Sequence, residues 1–349
     1  MRLWSYEAIA HGSDGIMFFQ WRQSRGGAEK FHSAVVPHGQ PAESRVFKEC
    51  CQLGNELKEL QEVVGTQFMA DVAVVFDWEN WWALELDAKP RSLKYIHQMS
   101  RLYEALRDLN VTVDFVHPDE DISAYRFVIA PNLYSAHRSF GKKINNYVAN
   151  GGVFLTNFFS GIVNENDQVY LGGYPGLFKE TLGITVEEFS PLKETMHGKI
   201  TFDQHTFTSN LWEEVIHLDQ ATSFGYFAND DLKDSPAITV NHYGDGYAYY
   251  IGTELAPSDL SLVLAKIFHD NHLEKTALRF IAADTPVSVT CRKGKDYTLL
   301  FLINHTDNNE KIVLKNQGYS LLDGQRVNTI DVPAKDVQII KLMANADSK

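Results

Sequence analysis

The 349-residue chain contains little cysteine: Cys50 and Cys51 are neighbours, and Cys291 lies far from both. Three cysteines at this spacing fit neither a disulfide framework nor a zinc knuckle. We therefore expect ordinary thiols in a reducing compartment, with no bound metal. The sequence predicts a cytoplasmic protein.

Long apolar runs and clusters of positive charge are also missing. No uncharged apolar run approaches the roughly 18 residues of a membrane span, and the N-terminal MRLWSYEAIAHG lacks the apolar centre of a signal peptide. Lys and Arg number 32 against 45 Asp and Glu, which gives a net charge of -13. Such a charge repels phosphate backbones and acidic lipid surfaces. We predict neither a nucleic-acid nor a membrane partner.

The chain has enough apolar residues for more than one core, at 44% of the sequence with 12% aromatic residues. Residues 1–62 read as a helix, a strand and a helix, with GIMFFQW as a strand buried on both faces. In residues 63–278 strands and helices alternate from DVAVVFD onward, which predicts an α/β, doubly wound, flavodoxin-like parallel sheet. Residues 279–349 carry short alternating strands, which predict a small antiparallel β-sandwich.

Two stretches of the middle segment are predicted in more detail. Residues 201–228 read as irregular β structure. Residues 237–253, AITVNHYGDGYAYYIGT, predict a hairpin that turns at Gly244 to Gly246, and LSLVLAKIFHDNHL predicts the helix that closes the segment.

The loop expected after the first middle strand argues against a flavin site. Its sequence is DWENWW, and bulky Trp78, Trp81 and Trp82 leave no cradle for phosphate. We therefore predict no cofactor. These tryptophans either form a buried cap against a neighbouring domain or are exposed anchors of an interface between subunits.

The same architecture also serves glutamine amidotransferases, which place a nucleophilic cysteine at a tight turn after a strand. The chain has FFSG at residues 158–161 of the corresponding turn. No cysteine is available there, and Ser160 lacks a G-x-S-x-G frame. The sequence therefore disfavours an amidotransferase-like enzyme.

A polar cluster follows the apolar run of the first segment, in DGIMFFQWRQSRGGAEKFH. Taken singly, Trp21 to Gln23 read as the end of a strand, and Glu29 with His32 as a surface pair. Their order suggests more, because barrel and open-sheet enzymes hold ligands where buried strands open into polar loops.

The segment MRLWSYEAIAHGSDGIMFFQWRQSRGGAEKFHSAVVPHG resembles the last helix-strand-loop unit of the catalytic (β/α)8 barrel of family 42 glycoside hydrolases, the β-galactosidases. RLW-x-YEAIAHG and FFQWRQ-x(5)-EKFH are its most specific parts. In that family the barrel precedes a flavodoxin-like trimerisation domain and a small β-sandwich, and the order of these last two domains is the one derived above for residues 63–349. The resemblance implies a retaining hydrolase of terminal β-D-galactosides that assembles as a homotrimer.

The resemblance also implies roles for individual residues. Phe19 occupies the position of an aromatic side chain that lines the sugar subsite, and Glu29 and His32 occupy positions that hydrogen-bond galactose hydroxyls. These roles suit the side chains, because a carboxylate accepts from adjacent hydroxyls and an aromatic ring covers the apolar face of a sugar. Three neighbours are expected to support the loop behind them: Trp21, Arg22 and Gln23.

The sequence differs from the family pattern in its catalytic carboxyl groups. A retaining glycosidase needs two carboxyl groups about 5 Å apart, and the resemblance places both catalytic glutamates before Met1. We therefore expect no catalytic residue here and no hydrolysis by the isolated chain, whether it comes from a truncated protein, an interrupted gene or a start assigned to an internal methionine. The alternative is a stand-alone, non-catalytic sugar-binding or oligomerisation module, although one side of a pocket binds a monosaccharide poorly.

An incomplete barrel also has a predicted consequence for folding. Ile16 and Phe18 expect flanking strands. Without those strands they are expected to leave apolar surface uncovered unless the segment docks elsewhere.

Overall fold

The computed structural model describes residues 1–86, 89–90, 92–229 and 231–343. Its α-helices are α1 (Arg2–Ala10), α2 (Arg45–Glu59), α3 (Trp78–Leu86), α4 (Tyr95–Asp108), α5 (Arg138–Ala149), α6 (Lys179–Leu182), α7 (Pro257–Asp270) and α8 (Thr276–Phe280). Short 3-10 helices span Ala28–Phe31, Pro41–Glu43, Gln61–Val63 and Gly176–Phe178.

The strands belong to three sheets. They are β1 (Gln67–Phe68), β2 (Val72–Val75), β3 (Val113–Val116), β4 (Phe127–Ala130), β5 (Val153–Asn157), β6 (Ile184–Pro191), β7 (Gly198–Phe202), β8 (His205–Ser209), β9 (Trp212–Leu218), β10 (Thr222–Phe227), β11 (Pro236–Tyr243), β12 (Gly246–Ile251), β13 (Ser288–Lys293), β14 (Tyr297–Ile303), β15 (Glu310–Ser320), β16 (Gln325–Val332) and β17 (Val337–Met343). The chain divides into two compact units, Ala70–Glu274 and Met1–Met69 with the chain from Lys275 onward.

The unit Ala70–Glu274 is built on a sheet of order β3-β2-β4-β5-β12-β11-β10-β7-β8. Its first five strands are parallel, and the remainder pair antiparallel. Strands β2 and β4 are apolar and buried along their whole length, since α4 and α7 cover one face of the sheet and α5 and α6 cover the other. The predicted alternation of strands and helices is confirmed, as is the hairpin of β11 and β12.

Two predictions for this unit are wrong. The stretch 201–228 is β structure as predicted, but it is not irregular: it contains the strands β8, β9 and β10, and β7 ends within it. The sequence DWENWW is largely helix rather than loop, because Oδ1 of Asp77 accepts a hydrogen bond from the backbone N–H of Glu79 and α3 begins at once. Trp78 and Trp82 are exposed, so neither is a buried cap, whereas Trp81 packs on the core.

The second unit carries an antiparallel sheet of order β1-β13-β14-β17-β15-β16. One face buries an apolar cluster that includes Val289, Leu300 and Ile340. The other face buries Phe301 and Ile339 against side chains of α1 and α2. Both faces of β14 and β17 are thus covered, which explains the buried apolar runs Leu299–Ile303 of β14 and Ile339–Ile340 of β17.

Arg292 ties the N-terminal segment to this sheet. Its side chain is fully buried and donates to the carbonyl oxygens of Ile9 (2.8 Å), Ser13 (2.9 Å) and Thr66 (2.9 Å). It also donates to Oγ1 of Thr66 (2.8 Å) and Oδ1 of Asp14 (2.5 Å). This pairing lowers the pKa of the Asp14 carboxyl. A buried guanidinium is stable here because its donors meet acceptors.

The strand predicted for GIMFFQW is wrong. No strand forms over residues 15–21 in the described chain, and the side chains alternate between two surroundings. Ile16 and Phe18 pack against the cluster beneath α1 and α2, whereas Met17 and Phe19 are exposed. An apolar run becomes a strand only when neighbouring strands hydrogen-bond to its backbone. Here Ile16 and Phe18 instead pack on the face of the antiparallel sheet that α1 and α2 cover.

Candidate functional site

The predicted sugar-contact residues lie on an irregular segment after α1. Two stretches of this segment run side by side: the N–H of Val35 donates to the carbonyl of Gln20 (3.0 Å), and the N–H of Val36 donates to that of Trp21 (2.7 Å). The N–H of Gln23 returns a bond to the carbonyl of Val36 (3.1 Å). These bonds close the base of the loop that carries Glu29.

The structure brings Phe19 and His32 together. Their ring centroids lie 6.4 Å apart with the planes at 72°. Glu29 lies on the 3-10 helix Ala28–Phe31, and its carbonyl accepts from the N–H of His32 (2.9 Å). All three residues are exposed, Phe19 at 76%. An aromatic face, a carboxylate and an imidazole on one exposed surface can serve as one side of a sugar pocket.

The three supporting residues differ in their surroundings. Oε1 of Gln23 accepts from the N–H of His38 (3.0 Å), which holds the two sides of the loop together. The side chains of Trp21 and Arg22 are exposed. His38, which sequence reasoning missed, lies 3.1 Å through its ring Nε2 from the carbonyl of Ser24. Its isolated position in VVPHG gave no pattern from which to predict this role.

The carboxyl end of the parallel strands in Ala70–Glu274 is the edge at which α/β sheets commonly bind ligands. Nδ2 of Asn80 donates to the carbonyl of Asn132 (3.1 Å), and Oδ1 of Asn80 accepts from the N–H of Ser135 (3.0 Å). Nδ2 of Asn132 donates to the carbonyl of Phe158 (3.0 Å). Both side-chain amides are buried and bonded to backbone groups of the segments that follow β4 and β5, so their role here is structural.

The turn after β5 is built from packed aromatic side chains. Phe159 has a φ of 60°, in the left-handed region. Its ring packs on those of Tyr134 (centroids 5.2 Å apart) and Trp212 (4.7 Å). Ser160 is fully buried and its hydroxyl accepts from the N–H of Leu133. The turn is therefore part of the core, and its hydroxyl is not accessible to a substrate.

Glu214 is a fully buried carboxyl that the sequence analysis did not single out. Its Oε1 accepts from the N–H of Phe159 (3.1 Å) and from Nε1 of Trp212 (3.0 Å), and its Oε2 accepts from the hydroxyl of Tyr250 (2.6 Å). Burial raises the pKa of Glu214 to about 7, although these donors favour the charged form. A charged pair of residues inside the apolar strand WEEVIHL was the available clue.

Within the described ranges, no group of three or more His, Cys, Asp or Glu side chains is arranged to hold a metal ion. None of the helices in that part of the chain is both long and apolar enough to cross a membrane.

Three family models match consecutive parts of the sequence. Residues 1–60 match the β-galactosidase model of glycoside hydrolase family 42, residues 70–274 match the β-galactosidase trimerisation domain, and residues 286–342 match the β-galactosidase C-terminal domain. The trimerisation-domain match alone spans more than half of the chain. The chain belongs to glycoside hydrolase family 42.

Individual members of family 42 are similar along nearly the whole chain. The β-galactosidase LacZ of Heyndrickxia coagulans is 48% identical over 347 residues, which is 98% of this chain and 51% of that protein. The β-galactosidase BgaB of a Geobacillus strain is 41% identical over 346 residues, with the same coverage of each. The crystal structure of the β-galactosidase from Bacillus circulans sp. alkalophilus superposes with a TM-score of 0.92 at 35% identity, covering 97% of this chain and 51% of that one. The chain therefore spans about half the length of these family 42 relatives.

Proposed function

We propose that the chain is the C-terminal part of a retaining β-galactosidase that hydrolyses terminal β-D-galactosides. One observation carries the proposal: the chain matches the β-galactosidase, trimerisation-domain and C-terminal-domain models of family 42 in that order, and relatives named β-galactosidases match it over half of their own length. Within the whole enzyme, this part would supply assembly and one side of the galactose subsite. We also propose a cytoplasmic location, which the three free cysteines support.

The proposed subsite consists of Phe19, Glu29 and His32. The exposed ring of Phe19 would cover the apolar face of galactose. Glu29 would accept hydrogen bonds from sugar hydroxyls, and His32 would donate or accept through its ring. The adjacency of the Phe19 and His32 rings supports a shared role, since it presents both to one small ligand.

We propose that this chain does not hydrolyse galactosides by itself. Double displacement at the anomeric carbon needs one carboxyl as nucleophile and a second as acid and base, about 5 Å apart. Glu29 is the single acidic residue between Gly15 and Gly39, the segment that carries the proposed subsite. A single carboxylate that binds hydroxyls leaves the nucleophile and the proton donor to be supplied by other parts of the enzyme.

The domain organisation follows from the same proposal. Residues 1–62 would be the end of a (β/α)8 barrel, residues 63–278 a flavodoxin-like trimerisation domain, and residues 279–349 a small β-sandwich. The order β3-β2-β4-β5-β12 supports the middle assignment, since in chain order it is the flavodoxin arrangement 2-1-3-4-5. We propose that the middle domain assembles the enzyme as a homotrimer.

A chimeric enzyme tests the galactose subsite. The matching C-terminal half of the Heyndrickxia coagulans relative would be replaced by this chain, which is 48% identical to it. We expect the chimera to hydrolyse a chromogenic β-galactoside. Glu29→Gln and His32→Ala should each lower kcat/KM by about 10- to 100-fold, because a hydrogen bond to a charged group contributes about 1.5–3 kcal/mol.

Lys30→Ala in the same chimera is the matched control, since Lys30 is exposed on the same 3-10 helix. Its kcat/KM should stay within about twofold of the unaltered chimera. Equal activity of all three variants would refute the subsite, and a folded chimera without activity would count against the proposed enzyme.

A further inference from the structure

An open apolar groove of about 780 Å³ lies on the unit Ala70–Glu274. Its floor and walls come from α4, from β3 and from the start of α3. Ile96 and Tyr103 line it from α4, Phe115 from β3 and Trp78 from α3. Glu104 and Arg107 lie at the same groove and give it charges of both signs.

The groove combines exposed apolar side chains with the edge of a sheet. Trp78 is 55% exposed, Phe115 52% and Ile96 39%. β3 is the first strand of the sheet order and pairs with β2 on one side. A contiguous apolar patch beside an edge strand favours association, and Trp, Tyr and Arg are the residues that most often anchor interfaces.

We propose that this groove is a contact surface between copies of the chain, and that the contact is made in all three subunits of the trimer. The assignment rests on the proposed trimer. Another copy is the partner because the unit that carries the groove matches a family model described as a trimerisation domain. The mixed charges of Glu104 and Arg107 suit the polar rim of such a contact.

The symmetry of a trimer defines what the groove must receive. In a closed ring of three, each interface is heterologous, so the groove of one copy meets a different surface of the next and every groove is filled. The net charge of -13 per chain opposes this association. Burial of Trp78, Ile96 and Phe115 must therefore drive it, and a carboxylate placed among them should abolish it.

The test is the mass of the full chain by light scattering, measured for three variants and the unaltered protein. Ile96→Glu adds a carboxylate near the N-terminus of α4, where the helix dipole tolerates it, and Phe115→Glu adds one at the edge strand. We expect the concentration at which half of the chain is monomeric to rise at least about 100-fold for both, since a desolvated charge costs several kcal/mol. Val313→Glu, at a 50% exposed position of β15, is the matched control and should stay trimeric.

The outcomes separate the two proposals. An unaltered chain that is monomeric would overturn the trimer and this surface with it. A trimeric unaltered chain whose Ile96→Glu and Phe115→Glu variants also remain trimeric would overturn the surface alone. Circular dichroism spectra and unfolding midpoints equal to those of the unaltered chain would establish that dissociated variants are folded.

Discussion

Glu214 is a single buried carboxyl that makes the stability of the unit Ala70–Glu274 depend on pH. The carboxyl accepts three hydrogen bonds, yet burial dominates and raises its pKa to about 7 from an ordinary value of 4.5. In the unfolded chain the group ionises near its ordinary pKa. The protonated form is therefore favoured by folding, and the stability it contributes is present below pH 4.5 and is lost as the pH rises through 7.

We predict that Glu214→Gln flattens this pH dependence. The amide keeps the shape of the side chain and cannot ionise, so the loss of unfolding free energy between pH 4.5 and 7.5, on the order of 3 kcal/mol for the shift described, should disappear. Urea unfolding followed by tryptophan fluorescence across that range measures it. Glu188→Gln, at an exposed position of β6, is the control. Equal slopes for Glu214→Gln and the unaltered protein would contradict the assignment.

Phe159 contributes to the same buried region through both its ring and its backbone N–H. Its backbone lies in the left-handed region, with a φ of 60°, at the turn after β5. Here an aromatic ring occupies that position and stacks in the core. The N–H of Phe159 donates to Glu214. Phe159 thus links the turn after β5 to the buried carboxyl of Glu214.

At the level of elements, Arg292 holds the N-terminal segment on the antiparallel sheet. Its donors satisfy carbonyl oxygens near the end of α1 and beside β1, so one side chain links parts of the chain that are far apart in sequence. The docking covers the apolar face of β14 and β17. The segment predicted to leave uncovered apolar surface is therefore partly accommodated by this sheet, whereas Phe19 stays exposed.

We predict that Arg292→Met destabilises this unit by at least about 3 kcal/mol, because several buried acceptors lose their donor at once. Urea unfolding and limited trypsin digestion after Arg22 and Arg25 measure the effect, and digestion should become faster. Arg326→Met, at an exposed position of β16, should change stability by less than about 0.5 kcal/mol. Equal stability of both variants would contradict the anchoring role of Arg292.

The elements that sequence reasoning predicted correctly are those whose pattern depends on local burial. β2 and β4 are apolar on both faces, and α2 and α4 carry their apolar residues at helical spacing. The strand predicted for GIMFFQW was wrong because a strand also requires hydrogen-bonded neighbouring strands, which an apolar run alone does not indicate. Glu214 and the groove at Phe115 were missed because their meaning depends on neighbours that are distant in sequence.

At the level of the whole molecule, the two proposed roles, assembly and one side of a galactose site, fall on different units. The units Ala70–Glu274 and Met1–Met69 with the chain from Lys275 onward each bury their own cores. The proposed galactose contacts lie on an exposed segment, and the proposed contact between copies lies on the other unit. This division predicts a protein that assembles without turning over substrate.

The most direct measurement is the mass of the purified chain by light scattering, with a chromogenic β-galactoside assay on the same peak. We predict a particle of three times the 39.6 kDa chain mass and no hydrolysis above the buffer rate. A monomeric peak would contradict the assembly role. A peak of any mass that hydrolyses the substrate would contradict the central claim, because two catalytic carboxyl groups would then have to lie within this chain.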